Sequence, residues 1–321
     1  MKLKIFSTLT LCLIMLAGCG TAPPVAPAEP EPVADITHEN VMIDLWEQNE
    51  IAFGVYAPNE APPPPEGARR GRGQRPPAVY TVAGGEALAS NPLYDFVFLN
   101  LEGRYDADAI RAMSEGLRNP GAVSRKTLLV RIPPISNEDA GEDVTRARVK
   151  EALDLGADGI VLPHVRSTEE AQLASSFFAD AGADVWSPSN PGGEILAMLM
   201  LEDPDAVAQA AEVANLGGYS ALSVGNGSLA GAITQELLGD VDPAGISDEQ
   251  RATARAEALI KAEEGNQEVL AETKRAGIAN MTVAGADNVE QRVSEAFSAL
   301  LMSGAQADST IELGRAAAGR Q

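Results

Sequence analysis

Residues 149–172 read VKEALDLGADGIVLPHVRSTEEAQ, and the fold is decided there. Gly159–Leu162 is a short unbroken apolar run, the mark of a strand covered on both faces. Just beyond it, Ser167-Thr168-Glu169-Glu170 has the spacing of a capping box. In that motif a serine hydroxyl and a carboxylate three residues later satisfy each other's free backbone N–H groups. It opens a helix to about Ala179. His164 falls between strand and helix. A buried strand, a short polar link and a helix form one β/α unit, and a chain that repeats it lays its strands parallel.

The unit recurs on either side. Apolar runs at residues 51–56, 94–100, 127–131, 196–202, 220–225, 278–283 and 298–303 join 159–162 as candidate strands. Between them, residues 106–117 have an amphipathic helical pattern. Asp203-Pro204 supplies an N-cap and a proline at the first helical position, and Ser247–Gln250 repeats the capping-box spacing. Eight such strands with roughly six or seven helices, in about 280 residues, fit a closed parallel (β/α)8 TIM barrel better than an open sheet. Aromatic residues are only 4% of a chain that is 45% hydrophobic, so Ala, Val, Leu, Ile and Gly must fill the core.

A barrel of this kind carries its chemistry at the carboxyl ends of its strands. Those positions hold Glu102, Arg131, His164, Glu202 and the run Gly225-Asn226-Gly227-Ser228. The last run, continued by Leu229-Ala230, also has the form of a dinucleotide fingerprint. It lies at the sixth strand instead of the first, and Asp240 and Asp242, the acidic residues downstream, sit in a turn-like context, which disfavours a nucleotide site. Its glycines still let backbone amides approach an anionic ligand.

The segments DFVFLNLEG (95–103), LLVRIPP (128–134), residues 149–172, MLMLEDPDAV (198–207) and SVGNGSLA (223–230) together resemble the HpcH/HpaI aldolase and citrate lyase family. AGIANMTV (276–283) and ALLMSG (299–304) fit as well, and the similarity runs from about Asn40 onward. The resemblance implies a lyase that cleaves a carbon–carbon bond of a 2-keto-hydroxy acid to give a pyruvate-type enolate, aided by a divalent cation, Mg²⁺ or Mn²⁺. Arg131 matches the arginine that neutralises the enolate oxygen, a task suited to a fixed guanidinium fork. Glu202 matches the metal-binding glutamate, and the backbone of Gly225, Asn226, Gly227 and Ser228 matches the loop that holds the substrate carboxylate. Glu102 joins Glu202 as a candidate metal residue, or else pairs with Arg131.

Three positions depart from the family pattern. Gly103 stands where aldolases carry a histidine, Ser228 where they carry a metal-binding aspartate, and Tyr56 where an aromatic residue, often tryptophan, ends the first strand. Ser228 offers a hard cation only a neutral hydroxyl. Asp203, as a helix N-cap, is expected to point away from Glu202. His164 could take over proton transfer, since an imidazole suits that work near neutral pH, or it could serve only as a hydrogen-bonded residue of the rim. His38 is read as structural or solvated, Trp46 and Trp186 as packing, and Glu169-Glu170 and Glu263-Glu264 as solvated helix faces.

The N-terminus adds a second theme. Lys2 and Lys4 precede an apolar run from Ile5 to Leu16, followed by Leu16-Ala17-Gly18-Cys19. The run is too short to span a bilayer and suits a signal peptide. The four residues resemble a bacterial lipobox, implying a signal at 1–18, lipidation of Cys19 and a membrane anchor in the bacterial cell envelope. Gly20 after the cysteine implies the periplasmic face of the outer membrane. An ordinary secretory signal with a chance cysteine stays open. Residues 19–35 form a Pro/Ala-rich tether, and the barrel occupies 36–321 with a Pro/Arg-rich loop at 61–77. That loop reads as a solvated surface segment; a polyproline ligand or a basic arm are the alternatives.

With 46 acidic against 24 basic residues, the chain carries a formal charge of −22 and repels phosphate backbones, so nucleic acid is excluded as an expected partner. The expected ligand is a small carboxylate or 2-keto acid. Homo-oligomerisation through the C-terminal segment 304–320 and a tethered monomer both stay open. So do two functions: an active lyase, and a non-catalytic envelope lipoprotein that binds a small carboxylate.

Overall fold

Each of the eight apolar runs forms a strand, and the strands pair in chain order to close a parallel barrel. The structure is a computed structural model that describes residues 37–62, 77–135, 141–239, 241–242 and 245–320. The signal, the tether with Cys19, and residues 63–76 of the Pro/Arg-rich loop lie outside the described residues. In chain order the elements are α1 (Val41–Glu47), β1 (Ala52–Tyr56), α2 (Val82–Ala89), β2 (Phe96–Asn100), α3 (Ala107–Leu117), β3 (Thr127–Arg131), α4 (Gly141–Asp154) and β4 (Gly159–Val165). There follow α5 (Thr168–Asp180), β5 (Leu196–Leu201), α6 (Pro204–Ala208), α7 (Ala210–Ala214), β6 (Ala221–Val224) and α8 (Asn226–Leu238). The chain closes with α9 (Asp248–Ala276), β7 (Ala279–Val283), α10 (Val289–Ser294), β8 (Ala299–Met302) and α11 (Ala307–Ala317). This is a (β/α)8 barrel.

Alternation along each strand splits the core in two. Phe96 and Phe98 of β2 point into the barrel with Leu129, Val161, Met198, Met281 and Leu301. Val97 and Leu99 point outward to the helices with Ile110, Met113 and Val130. The interior is tight. A Cβ on Gly54 would lie 2.5 Å from the Phe96 ring, so β1 carries glycine where β2 carries a large aromatic.

At the amino ends of the strands, α1 plugs the barrel. Met42, Ile43, Leu45 and Trp46 are buried there, with Trp186 packed 5.6 Å from Trp46 between ring centres. Trp46 Nε1 donates to the Ser298 carbonyl at 2.8 Å, and Asn40 Nδ2 donates to the Asp158 carbonyl at 3.2 Å. His38 is not solvated: its buried ring lies between Glu194 and Glu47 at 3.1 and 3.3 Å. Both tryptophans therefore pack, as their sequence context predicts.

The helix signals translate with two corrections. Asp203 caps α6 by accepting from Ala206 N, with Pro204 at the first position, and Ser247 and Gln250 form both halves of a capping box at α9. At α5 only one half forms. Ser167 Oγ accepts from Glu170 N, but the Glu170 carboxylate turns back to Arg166, taking its backbone N–H at 2.8 Å and its guanidinium at 3.0 Å. Glu170 is thus no solvated face, and neither is Glu263, which pairs with the buried Arg292 guanidinium.

Candidate active site

The open end of the barrel collects the strand-end residues that the sequence singles out. Arg131 closes β3 in register with Asn100 at the end of β2, and Glu102 follows two residues later. Arg131 Nε donates to Asn100 Oδ1 at 3.0 Å, Nη2 pairs with Glu102 Oε2, and Nη1 lies 3.5 Å from the Met200 thioether. The guanidinium is therefore held on three sides.

His164 enters from β4 by a backbone irregularity. The pairing of β4 with β5 shifts register between Leu162 and Val165, and His164 takes a left-handed φ of 54°. A bulge of this kind turns a side chain that regular pleating would send elsewhere. Strand β4 thus runs beyond its expected end at Leu162, because Pro163, which breaks strands, and the polar His164 hide a continuing ladder. Here His164 Nε2 lies 2.9 Å from Glu102 Oε1 and Nδ1 lies 3.4 Å from Glu202 Oε2, while its backbone N–H donates to Glu202 Oε2 at 3.1 Å. The hydrogen bond to Glu102 holds the imidazole pKa above its ordinary value, aided by the charges of Glu202 and Glu102 against the opposing pull of burial and Arg131. The same bond holds the Glu102 carboxyl below its ordinary value, with burial opposing and Arg131 assisting.

Glu202 is only 4% exposed. A Cβ on Gly225 would lie 2.1 Å from its Oε1, so the β6 turn must be glycine for the carboxylate to fit. Asp203 turns away to cap its helix, as expected. Gly225 then leads into α8, which no side chain caps. The first N–H groups of a helix lack partners within it, so those of α8 remain available to an anion. Asn226 offers a buried Oδ1 that has no hydrogen-bond partner, whereas Ser228 is exposed.

Several of these groups line a cavity of about 350 Å³. Arg131, Glu202 and the Gly225–Ser228 turn supply its polar wall, and Tyr56, Phe98, Met200, Met281 and Leu301 its apolar wall. Tyr56 stacks edge-on to Phe98 at 5.1 Å, and burial raises its phenol above the ordinary value, keeping it a neutral donor. The structure thus brings together Arg131, Glu102, His164, Glu202 and the β6 turn. What the sequence reading missed is Asn100, a neutral amide whose role depends on strand register.

Glu102, His164 and Glu202 offer ligand atoms that all lie within 4.8 Å of one another. Two carboxylates and an imidazole are a donor set that fits a divalent cation. Gly103 is open: a Cβ there would meet nothing within 4 Å.

Comparison with known proteins agrees with the fold. The sequence matches the HpcH/HpaI aldolase/citrate lyase family over residues 88–300. No curated protein sequence matches the chain. Among solved structures, the HpcH/HpaI aldolase from Desulfitobacterium hafniense DCB-2 is 19% identical, with 84% of this chain and 92% of that one covered and a TM-score of 0.54. An HpcH/HpaI aldolase/citrate lyase family protein from Burkholderia cenocepacia J2315 is 18% identical over 87% and 97%, with a TM-score of 0.57. A citrate lyase from Burkholderia xenovorans LB400 is 17% identical over 83% and 76%, with a TM-score of 0.52. At these identities the likenesses show the fold.

Proposed function

The chain belongs to the HpcH/HpaI aldolase/citrate lyase family, and from that premise we propose that it cleaves a carbon–carbon bond of a 2-keto-hydroxy acid to release a pyruvate-type product. The observation that carries this reading is the convergence of Arg131, Glu102, His164 and Glu202 at the strand carboxyl ends, with Arg131 and Glu202 lining one cavity.

The free N–H groups of α8 at Gly227 and Ser228 suit the substrate carboxylate. Arg131, already fixed by Asn100 and Glu102, faces the ketone oxygen, where negative charge grows as the bond between the third and fourth carbons breaks and its electron pair moves into the enolate. The neutral His164 ring, donating through Nε2 to Glu102, takes at Nδ1 the proton of the hydroxyl on the fourth carbon, and that carbon leaves as an aldehyde or ketone. The imidazolium then returns the proton to the third carbon, and Glu102 steadies it throughout. Glu202 and Glu102, with the His164 ring between them, are the residues that would hold Mg²⁺ or Mn²⁺, and what such a cation supplies is electron withdrawal from a bound ketone and carboxylate. His164 thereby supplies the proton transfer that Gly103 cannot.

A second reading rests on Gly103 and the exposed Ser228: a carboxylate-binding lipoprotein that no longer turns over. A lipid anchor on Cys19 and a place in the bacterial envelope, supported by Leu16-Ala17-Gly18-Cys19, belong to either reading. The test is pyruvate release from a panel of 2-keto-4-hydroxy acids by the full chain in detergent, with Mg²⁺ or Mn²⁺. Turnover that falls at least about a hundredfold in Arg131→Ala and Glu202→Ala supports the lyase. Binding of pyruvate or oxalate without turnover supports the second reading.

A further inference from the structure

We propose that Asn100 is a positioning residue that holds Arg131 in its anion-binding orientation without discharging it; the inference rests on Arg131 being the group that meets the ligand. One atom does the work. Asn100 Oδ1 accepts from Arg131 Nε at 3.0 Å and from the Glu102 backbone N–H at 3.2 Å. It therefore fixes the plane of the guanidinium and the start of the loop that carries Glu102. The two residues stand opposite each other at the ends of β2 and β3, so the contact follows from strand register and needs no loop adjustment.

The amide's neutrality matters as much as its reach. Arg131 already pairs with one carboxylate, Glu102, on its Nη2 side. A second carboxylate at position 100 would place two negative charges on one guanidinium and offset the attraction that an incoming anion needs. Asparagine offers the same acceptor geometry as aspartate with no charge. Among the described residues the Nη1 edge meets the weakly accepting Met200 sulfur, so that edge keeps donors for a ligand at the cavity. Among the residues around Arg131, Asn100 is thus the one that orients it without competing for its charge.

The experiment compares wild type, Asn100→Ala and Asn100→Asp as full chains in detergent. Hydrogen exchange at the Arg131 Nε–H is read by ¹⁵N NMR and assigned by its loss in Arg131→Lys; oxalate affinity is read by calorimetry. Slow exchange in wild type and Asn100→Asp with fast exchange in Asn100→Ala is expected. Oxalate binding should weaken about fivefold to tenfold in Asn100→Ala through lost orientation, and in Asn100→Asp through lost charge, with thermal midpoints unchanged. Unchanged exchange in Asn100→Ala overturns the proposal, as does wild-type oxalate affinity in Asn100→Asp. Should wild type fail to bind oxalate while the exchange pattern holds, the functional reading falls and the positioning role of Asn100 stands.

Discussion

The two ends of the barrel are built from the same kinds of side chain and put them to opposite uses. At the amino ends, carboxylates before the strands are closed into networks. Asp95 accepts from the Phe53 N–H at 2.8 Å and from Arg320 at 2.8 and 3.0 Å, with Arg315 at 3.3 Å. Asp158 repeats the device one strand pair later, accepting from the Leu128 N–H at 2.8 Å and from Arg118 and Arg125 at 2.9 Å each. At the carboxyl ends, Arg131 and Glu202 line a cavity, and Glu102 and His164 pair with them. One of them sits in a left-handed backbone conformation, and a buried amide oxygen nearby has no partner. Ion pairs that satisfy each other and exclude water hold a fold together. Charges held at a cavity, beside a strained backbone, mark the end proposed to carry the function.

The largest effect on stability is expected at the closed end. Asp95→Ala takes the central carboxylate from the partly buried Arg315 and Arg320 and is expected to cost about 3 kcal/mol of stability in chemical denaturation, without changing oxalate affinity. A loss under about 1 kcal/mol would show that the closed end is not where stability resides. At the open end, His164→Ala and His164→Gly both remove the imidazole. Only glycine tolerates the φ of 54° without strain, so the glycine variant should be the more stable by about 1 kcal/mol, with neither releasing pyruvate. Equal stabilities would mean that the bulge stores no strain.

Lys126 gives the closed end a pH signature. It is 2% exposed and bonds to Ser124 Oγ, and burial pushes its ammonium down to about 8. The folded protein therefore gives up this proton before the unfolded chain does, whose lysine titrates near 10.4, and stability should rise as pH climbs through 8 toward that value. Lys126→Met should flatten the rise and stabilise the fold at pH 7 by about 1 kcal/mol. Parallel pH–stability curves for the two proteins would contradict this. The smallest effect on stability is expected at Gly103→His, where open space admits the side chain within about 0.5 kcal/mol. Pyruvate release should rise if a second imidazole helps there; an unchanged rate would show that His164 already suffices.

How much was legible follows the same division. The eight strands were plain because a strand covered on both faces must be an unbroken apolar run, and polar residues at their carboxyl ends stood out against it. Helix α9 announced only its start, through the Ser247–Gln250 capping box; its length was hidden, since its inward stripe is Ala254, Ala258, Ala262 and Gly265, small residues that give little hydrophobic periodicity. The α1 plug was too short to show a period. Within the site, strand ends alone name Arg131, Glu102, His164 and Glu202, and of their mutual contacts only the Glu102–Arg131 pair was foreseen. The Asn100–Arg131 contact depends on register between β2 and β3, and the direction of His164 depends on a bulge that no local residue pattern announces.

The central claim is that the open end presents Arg131 to a small carboxylate. Calorimetric titration of oxalate into the wild-type full chain and into Arg131→Ala tests it directly. The account predicts saturable binding to wild type, at least about tenfold weaker binding to Arg131→Ala and an unchanged thermal midpoint. Equal oxalate affinity in the two proteins, or saturable binding in neither, would contradict it.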